Sequence, residues 1–188
     1  MALTLNGNTN TISGLAVGGL PDGVVDTDTL AVANRSKILN VESTTKTDSE
    51  GYDSQSWDDV SGLSVSITPL AANSKIMVFV HINIGARNDS QAMCKLVRGS
   101  QDICVGNAAS NRTRASLESH TGGDNHGQEG HAINHLDTPP YSVGATLTYK
   151  IQIRVTGNTH KINSTNGDAD QTYESRTASS ITVMEVAA

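Results

Sequence analysis

Aromatic side chains are scarce in this sequence: Phe, Trp and Tyr make up 3% of its 188 residues. A core must therefore be built from Val, Ile, Leu and Ala, which favours β-branched strands and limits what one copy can bury alone. Self-association would relieve that limit. Charge is also sparse, at 17% of residues against about 25% in ordinary globular domains. The net charge is -6, and no stripe of Lys and Arg is present to displace counterions, which excludes a dedicated nucleic-acid binder. Apolar runs are short. Residues 76–80 end at His81, far too few to span a bilayer, so no membrane partner is expected. The amino end lacks the basic start and apolar block of a signal peptide, so synthesis in a cytoplasm is expected. Cys94 and Cys104 flank a plausible hairpin turn at residues 98–101 in a slightly offset register. Both are read as buried free thiols.

Catalytic patterns are missing too. The sequence has no strand-turn-helix nucleophile elbow, no phosphate-cradling glycine loop and no Cys beside an evident base, so it is not read as an enzyme. Residues 118–137 hold four of the six histidines, His120, His126, His131 and His135, among Asp124, Glu129 and Asp137. Imidazoles and carboxylates are metal ligands, and His120, His126 and His131 are the weak candidates. The intervals of six, five and four residues among the four histidines match no tight ligand pair, so a long hydrophilic loop is expected, with a strand starting at His135. Gly123 to Gly127 (GDNHG) resembles one fragment of a metallophosphatase, but the companion motifs are absent. No metal and no cofactor are expected.

What is present divides in two. Residues 1–35 form an arm in which Gly7, Gly14, Gly18, Gly19, Gly23 and Pro21 interrupt short apolar steps. Each glycine loses entropy on ordering, so the arm holds no helix by itself. Leu5, Ile12, Leu15, Val17, Leu20, Val24 and Val25 give it apolar surface to order on a partner. Residues 36–188 read as strands. Leu63, Val65 and Ile67 alternate with polar residues and end at Pro69; Leu147, Tyr149, Ile151, Ile153 and Val155 do the same. Residues 76–84 put Ile76, Val78, Val80, Ile82 and Ile84 on one face and Met77, Phe79, His81 and Asn83 on the other, a strand between two layers. Further strands are expected over 36–47, 92–97, 103–105, 113–118, 159–163 and 179–186. The fold class is all-β, an antiparallel sandwich of jelly-roll type behind an extended arm. The last strand is apolar on both faces, so Ile181, Val183, Met184 and Val186 are assigned to an interface around a three-fold axis.

Three stretches together resemble a family. They are ISGLAVGGLPDGVVDTDTLA at residues 12–31, WDDVSGLSVSITP at 57–69 with LDTP at 136–139, and RTASSITVMEVAA at 176–188. These are similar to the attachment segments and carboxy-terminal β domains of virion appendages in phages of cyanobacteria and other marine bacteria. That β domain resembles the trimeric jelly rolls of the tumour-necrosis-factor and complement-C1q type. The resemblance implies a virion protein assembled in a bacterial host cytoplasm. No shaft repeat separates arm from body, and only residues 37–55 remain as a connector, which suits a compact capsid decoration or cement protein. Its expected partners are two further copies and the major capsid protein or another virion protein. The alternative is a short tail or head fibre that binds a host surface glycan through residues 101–109 or 118–131.

Overall fold

The structure, a computed structural model, describes residues 4–6, 11–13, 37–85, 90–120 and 125–188. The chain divides into two compact units, Met1–Ser36 and Lys37–Ala188. In the first, β1 (Thr4–Asn6) pairs antiparallel with β2 (Thr11–Ser13), placing Leu5 opposite Ile12. Of the arm residues named above, Leu15, Val17, Leu20, Val24 and Val25 lie outside the described residues.

The second unit is all strand and turn among the described residues. Its elements are β3 (Ile38–Lys46), β4 (Glu50–Tyr52), β5 (Asp58–Ile67), β6 (Lys75–Gly85), β7 (Ala92–Arg98), β8 (Gln101–Ile103), β9 (Leu117–Ser119), β10 (Gln128–Asp137), β11 (Leu147–Val155), β12 (His160–Ile162) and β13 (Ser179–Val186). They form two antiparallel sheets in a sandwich-like arrangement. Sheet one runs β3-β13-β6-β10, and β12 with β4 beyond it takes the part of the β6 edge that β13 leaves open. Sheet two runs β5-β11-β7, with the far edge of β7 shared by β8 and β9.

Alternation explains the layers. In β6 the five residues Ile76, Val78, Val80, Ile82 and Ile84 are all buried, and in β11 Tyr149, Ile151, Ile153 and Val155 meet them across the core with Leu63, Val65, Ile67, Cys94 and Leu96. Each such aliphatic side chain contributes roughly 1.5–3 kcal/mol by leaving water. In β5 the alternation slips, because two exposed residues separate buried Val60 from buried Leu63. The pairing with β11 shifts there, and Gly62 takes φ 73. That is a β-bulge, whose left-handed residue is cheapest as glycine. A second glycine is required at the end of β6: a Cβ on Gly85 would lie 2.3 Å from the Ser164 carbonyl oxygen.

Buried polar groups tie the layers together. Asp137 of sheet one accepts from Arg98 (2.5 Å) and from the Tyr149 hydroxyl (2.8 Å), both of sheet two. Burial and the neighbouring carboxylate push the Tyr149 hydroxyl well above its usual pKa. Glu185, fully enclosed on β13, accepts from the Leu70 and Ala71 amides at 2.9 and 3.0 Å and fixes the β5–β6 turn. Asn163, at φ 62, donates to the Lys46 and Asp48 carbonyls and accepts from Ser179 Oγ.

The structure corrects several expectations. The strand expected to start at His135 starts at Gln128, so residues 128–134 of the stretch read as a loop belong to β10, paired residue by residue with β6 from Gln128 opposite Gly85 to Asp137 opposite Ile76. The strand expected at 103–105 sits at Gln101–Ile103, and that expected at 113–118 shrinks to Leu117–Ser119. Cys94 is buried in the core, but Cys104 is exposed just past β8. Burial raises the Cys94 thiol to about 12.

Candidate functional site

The histidines were the first candidates, and the structure disperses them. His120 Nδ1 lies 3.2 Å from the Ser90 carbonyl, His126 Nδ1 is 2.5 Å from Glu174 Oε1, and His131 Nε2 is 3.3 Å from Glu129 Oε2 without hydrogen-bond geometry. Among the described residues no three His, Cys, Asp or Glu side chains converge as a metal site. His160 and Ser90 form a Ser–His contact at 2.8 Å, with His160 Nδ1 3.2 Å from the Gly85 carbonyl. Both residues are fully enclosed, so the pair ties β12 to the end of β6 rather than presenting a nucleophile to solvent.

The outer face of sheet one is different in kind. Residues paired across strands share a face, so the register defines rows. One row runs Val41, Met184, Met77, Leu136 across all four strands. The row below is Ile38, Val186, Lys75, and the row above is Ser43, Thr182, Phe79, Asn134. A further row, Thr45, Ser180, His81 and Ala132, is polar apart from the alanine. Val41, Leu136, Ile38 and Phe79 are exposed by 49, 43, 42 and 40%. Seven apolar side chains therefore form one contiguous patch, with Met77, Met184 and Val186 half-buried within it. Patches of this kind on a soluble surface mark sites of interaction.

The four residues assigned to the interface split accordingly. Ile181 and Val183 are 0% exposed and belong to the chain's own core. Met184 and Val186 face outward. The alternation of β13 forces this split, because successive side chains point to opposite faces. Met77 and Phe79 stood out in the sequence as the second apolar face of β6, but among the described residues no second layer covers that face as expected: Phe79 is exposed. Ile38, Val41 and Leu136 were missed, since their membership depends on pairing between distant strands.

The outer face of sheet two is polar and fastened by its own side chains. Ser66 meets Thr148 at 2.8 Å and Thr68 meets Thr146 at 3.0 Å. Asp59 accepts from Lys150 and Gln152, both at 2.7 Å, and these bonds, opposed by partial burial, hold its carboxyl below the usual carboxylate range. Arg154 reaches the Gln55 carbonyl and Thr113 Oγ1, while Lys95 pairs with Asp102 and sits 4.6 Å from the Trp57 ring centre. Compared with known protein families and with curated proteins, the sequence matches none.

Proposed function

We infer that the chain is a structural protein of a bacteriophage virion, a homotrimeric capsid decoration or cement protein held by its amino-terminal arm. The observation that carries the self-association is the apolar outer face of sheet one. A face of Ile, Val, Met, Leu and Phe that the chain leaves exposed suits burial against an identical copy, and the shortage of aromatics inside the core makes that added area valuable.

The finer fold assignment belongs to the same reading. Setting aside β4 and β12, the body's strands pair in the order first, last, third, sixth in one sheet and second, seventh, fourth, fifth in the other, taking β3, β5, β6, β7, β8 with β9, β10, β11 and β13 in turn. That order supports a jelly roll of the tumour-necrosis-factor and complement-C1q type. The threefold symmetry and the virion setting rest on the sequence resemblance. In this reading a trimer seated on the shell adds apolar contact across subunit boundaries, and three arms keep it there through high effective concentration.

Sedimentation of the full chain tests the first half: a trimer is expected at micromolar concentration, and a monomer at 100 µM would overturn it, those concentrations being about those at which stable interfaces persist. Removing residues 1–34 tests the second half. The truncated body is expected to remain trimeric and to lose its binding to capsids; retained capsid binding would remove the arm from the mechanism.

A further inference from the structure

We propose that the connection between β12 and β13 is a saccharide-binding site that takes a neutral pyranose through its hydroxyl groups. The connection is long but well held. Ser164 bridges Arg176, the Thr177 amide donates to the Asn163 carbonyl, and the Gly167 amide donates to the Asn125 carbonyl at 2.8 Å. From β10, the Gln128 amide donates to the Ser175 carbonyl and hydroxyl, both at 2.8 Å, and accepts from Thr177. A loop fixed at this many points presents its side chains without a large ordering cost.

It borders an open pocket of about 360 Å³ lined by Asp168, Ala169, Asp170, Gln171, Glu174 and Arg176, among others. Small-ligand sites run from roughly 300 Å³ upward. Glu174 points to a ligand. Its side chain is only 5% exposed, Oε1 is engaged by His126, and Oε2 has no partner among the described residues. Elsewhere in the same connection, outside the pocket lining, the Asn166 amide has neither its oxygen nor its nitrogen partnered. Buried acceptors and donors in this state are costly unless something completes them.

The lining selects the chemistry. Asp168 is already occupied by Lys161 and, bidentately, by Arg176; although burial works the other way, these cations hold its carboxyl below the usual range. Asp170 and Glu174 remain as acceptors, Arg176 as a donor, and Gln171 as both. Two carboxylates disfavour an anion, and a lining whose side chains are polar or charged apart from Ala169 disfavours a purely apolar ligand. A metal would need more anionic ligands than converge here. Vicinal hydroxyls, each able to donate and accept, match a mixed set of carboxylate, amide and guanidinium. Next to Glu174, Tyr173 is 63% exposed, with its ring set edge-to-face with His126 at 5.2 Å between centres. A held, exposed aromatic ring offers a surface for the apolar C–H face of a sugar.

The test is a glycan array probed with the full-length chain, followed by calorimetry on any saccharide retained. Retention is expected, and Glu174→Gln should weaken it by about tenfold, the loss of one charge-assisted hydrogen bond. Tyr173→Ala should weaken it by roughly fivefold. Because Glu174→Gln also alters the contact with His126, Gln171→Ala at an exposed position is the second variant, expected to lower affinity with an unchanged melting temperature. Competition by the free monosaccharide would identify recognition of a terminal residue, and retention without competition an internal residue of a chain; in both cases Glu174→Gln must lose binding. No saccharide retained, or equal retention by all three variants, overturns the proposal. Heat released by calcium chloride alone, with no saccharide retained, would overturn it in favour of a cation.

Discussion

The two outer faces of the sandwich are built from the same alternating strands, yet they solve opposite problems. On sheet two, polar side chains dominate the outward positions of β5 and β11: Ser66 and Thr148 bond each other, Asp59 collects Lys150 and Gln152, and Arg154 reaches up to the loops. On sheet one, the row Val41, Met184, Met77, Leu136 presents apolar carbon to the surface. A sandwich with water against both outer faces would carry polar residues on both, as the outer face of sheet two does. The difference shows that patterning within strands fixes the inside, while the identity of the outward residue separates a face suited to water from one that, in the proposed assembly, meets another copy.

The largest expected effect comes from making the faces alike. Placing charges at Phe79 and Leu136 (Phe79→Asp with Leu136→Asp) should weaken self-association by at least about a hundredfold, read as a shift to monomer in sedimentation. Ser66→Asp on the opposite face should leave the assembly mass unchanged. An equal loss from both would erase the distinction between the faces.

The next effect concerns what joins the sheets behind those faces. Asp137→Ala leaves Arg98 largely buried without its carboxylate, and unfolding in urea should register a loss of about 3–5 kcal/mol. A loss below about 1 kcal/mol would mean the clamp is solvated and weak.

Acid should act more gently, and on the polar face. Asp59 has a depressed folded pKa, so its stabilising contribution is complete above the unfolded value of about 4 and is lost as pH falls through the folded value. Asp168 shares the same direction. Melting temperature is therefore expected to fall below about pH 4, and Asp59→Asn should make that fall shallower by a few tenths of a kcal/mol after screening at an exposed site. A melting temperature independent of pH between about 2 and 5 would contradict it.

The smallest effect is a labelling control. Cys104 should react with a bulky thiol reagent in the native protein while Cys94 does not, and the labelled chain should keep its assembly mass, since Cys104 follows β8 of sheet two. Dissociation on labelling would place the contact between copies on the wrong sheet.

Much of the fold was readable wherever apolar and polar residues alternate strictly, as in β6, β11 and β13. It failed where a physical device interrupts the pattern. The bulge at Gly62 hid the first half of β5, because Val60 falls out of phase with Leu63. In β10 only Ile133 marks the inner face with an aliphatic side chain, and the inward Asp137 is explained by Arg98 and Tyr149, which are remote in sequence. The apolar patch was half legible for a related reason. Met77 and Phe79 lie on one strand, but joining them to Val41 and Leu136 requires the pairing register. The turn holding Glu174 gave no signal, since its partner His126 sits 48 positions away.

The position of β13 also bears on when the apolar outer face of sheet one comes into being. This strand follows all the others in sequence, yet it lies between β3 and β6, and Ser43 contacts Thr182 across 139 positions. Until β13 inserts, Val41 and Met77 stand on strands with nothing between them, and the apolar row does not exist as a surface. A chain that has not yet placed β13 thus lacks that row. In the proposed assembly, recruitment would then be a readout of completed folding, a timing control that needs no separate regulator.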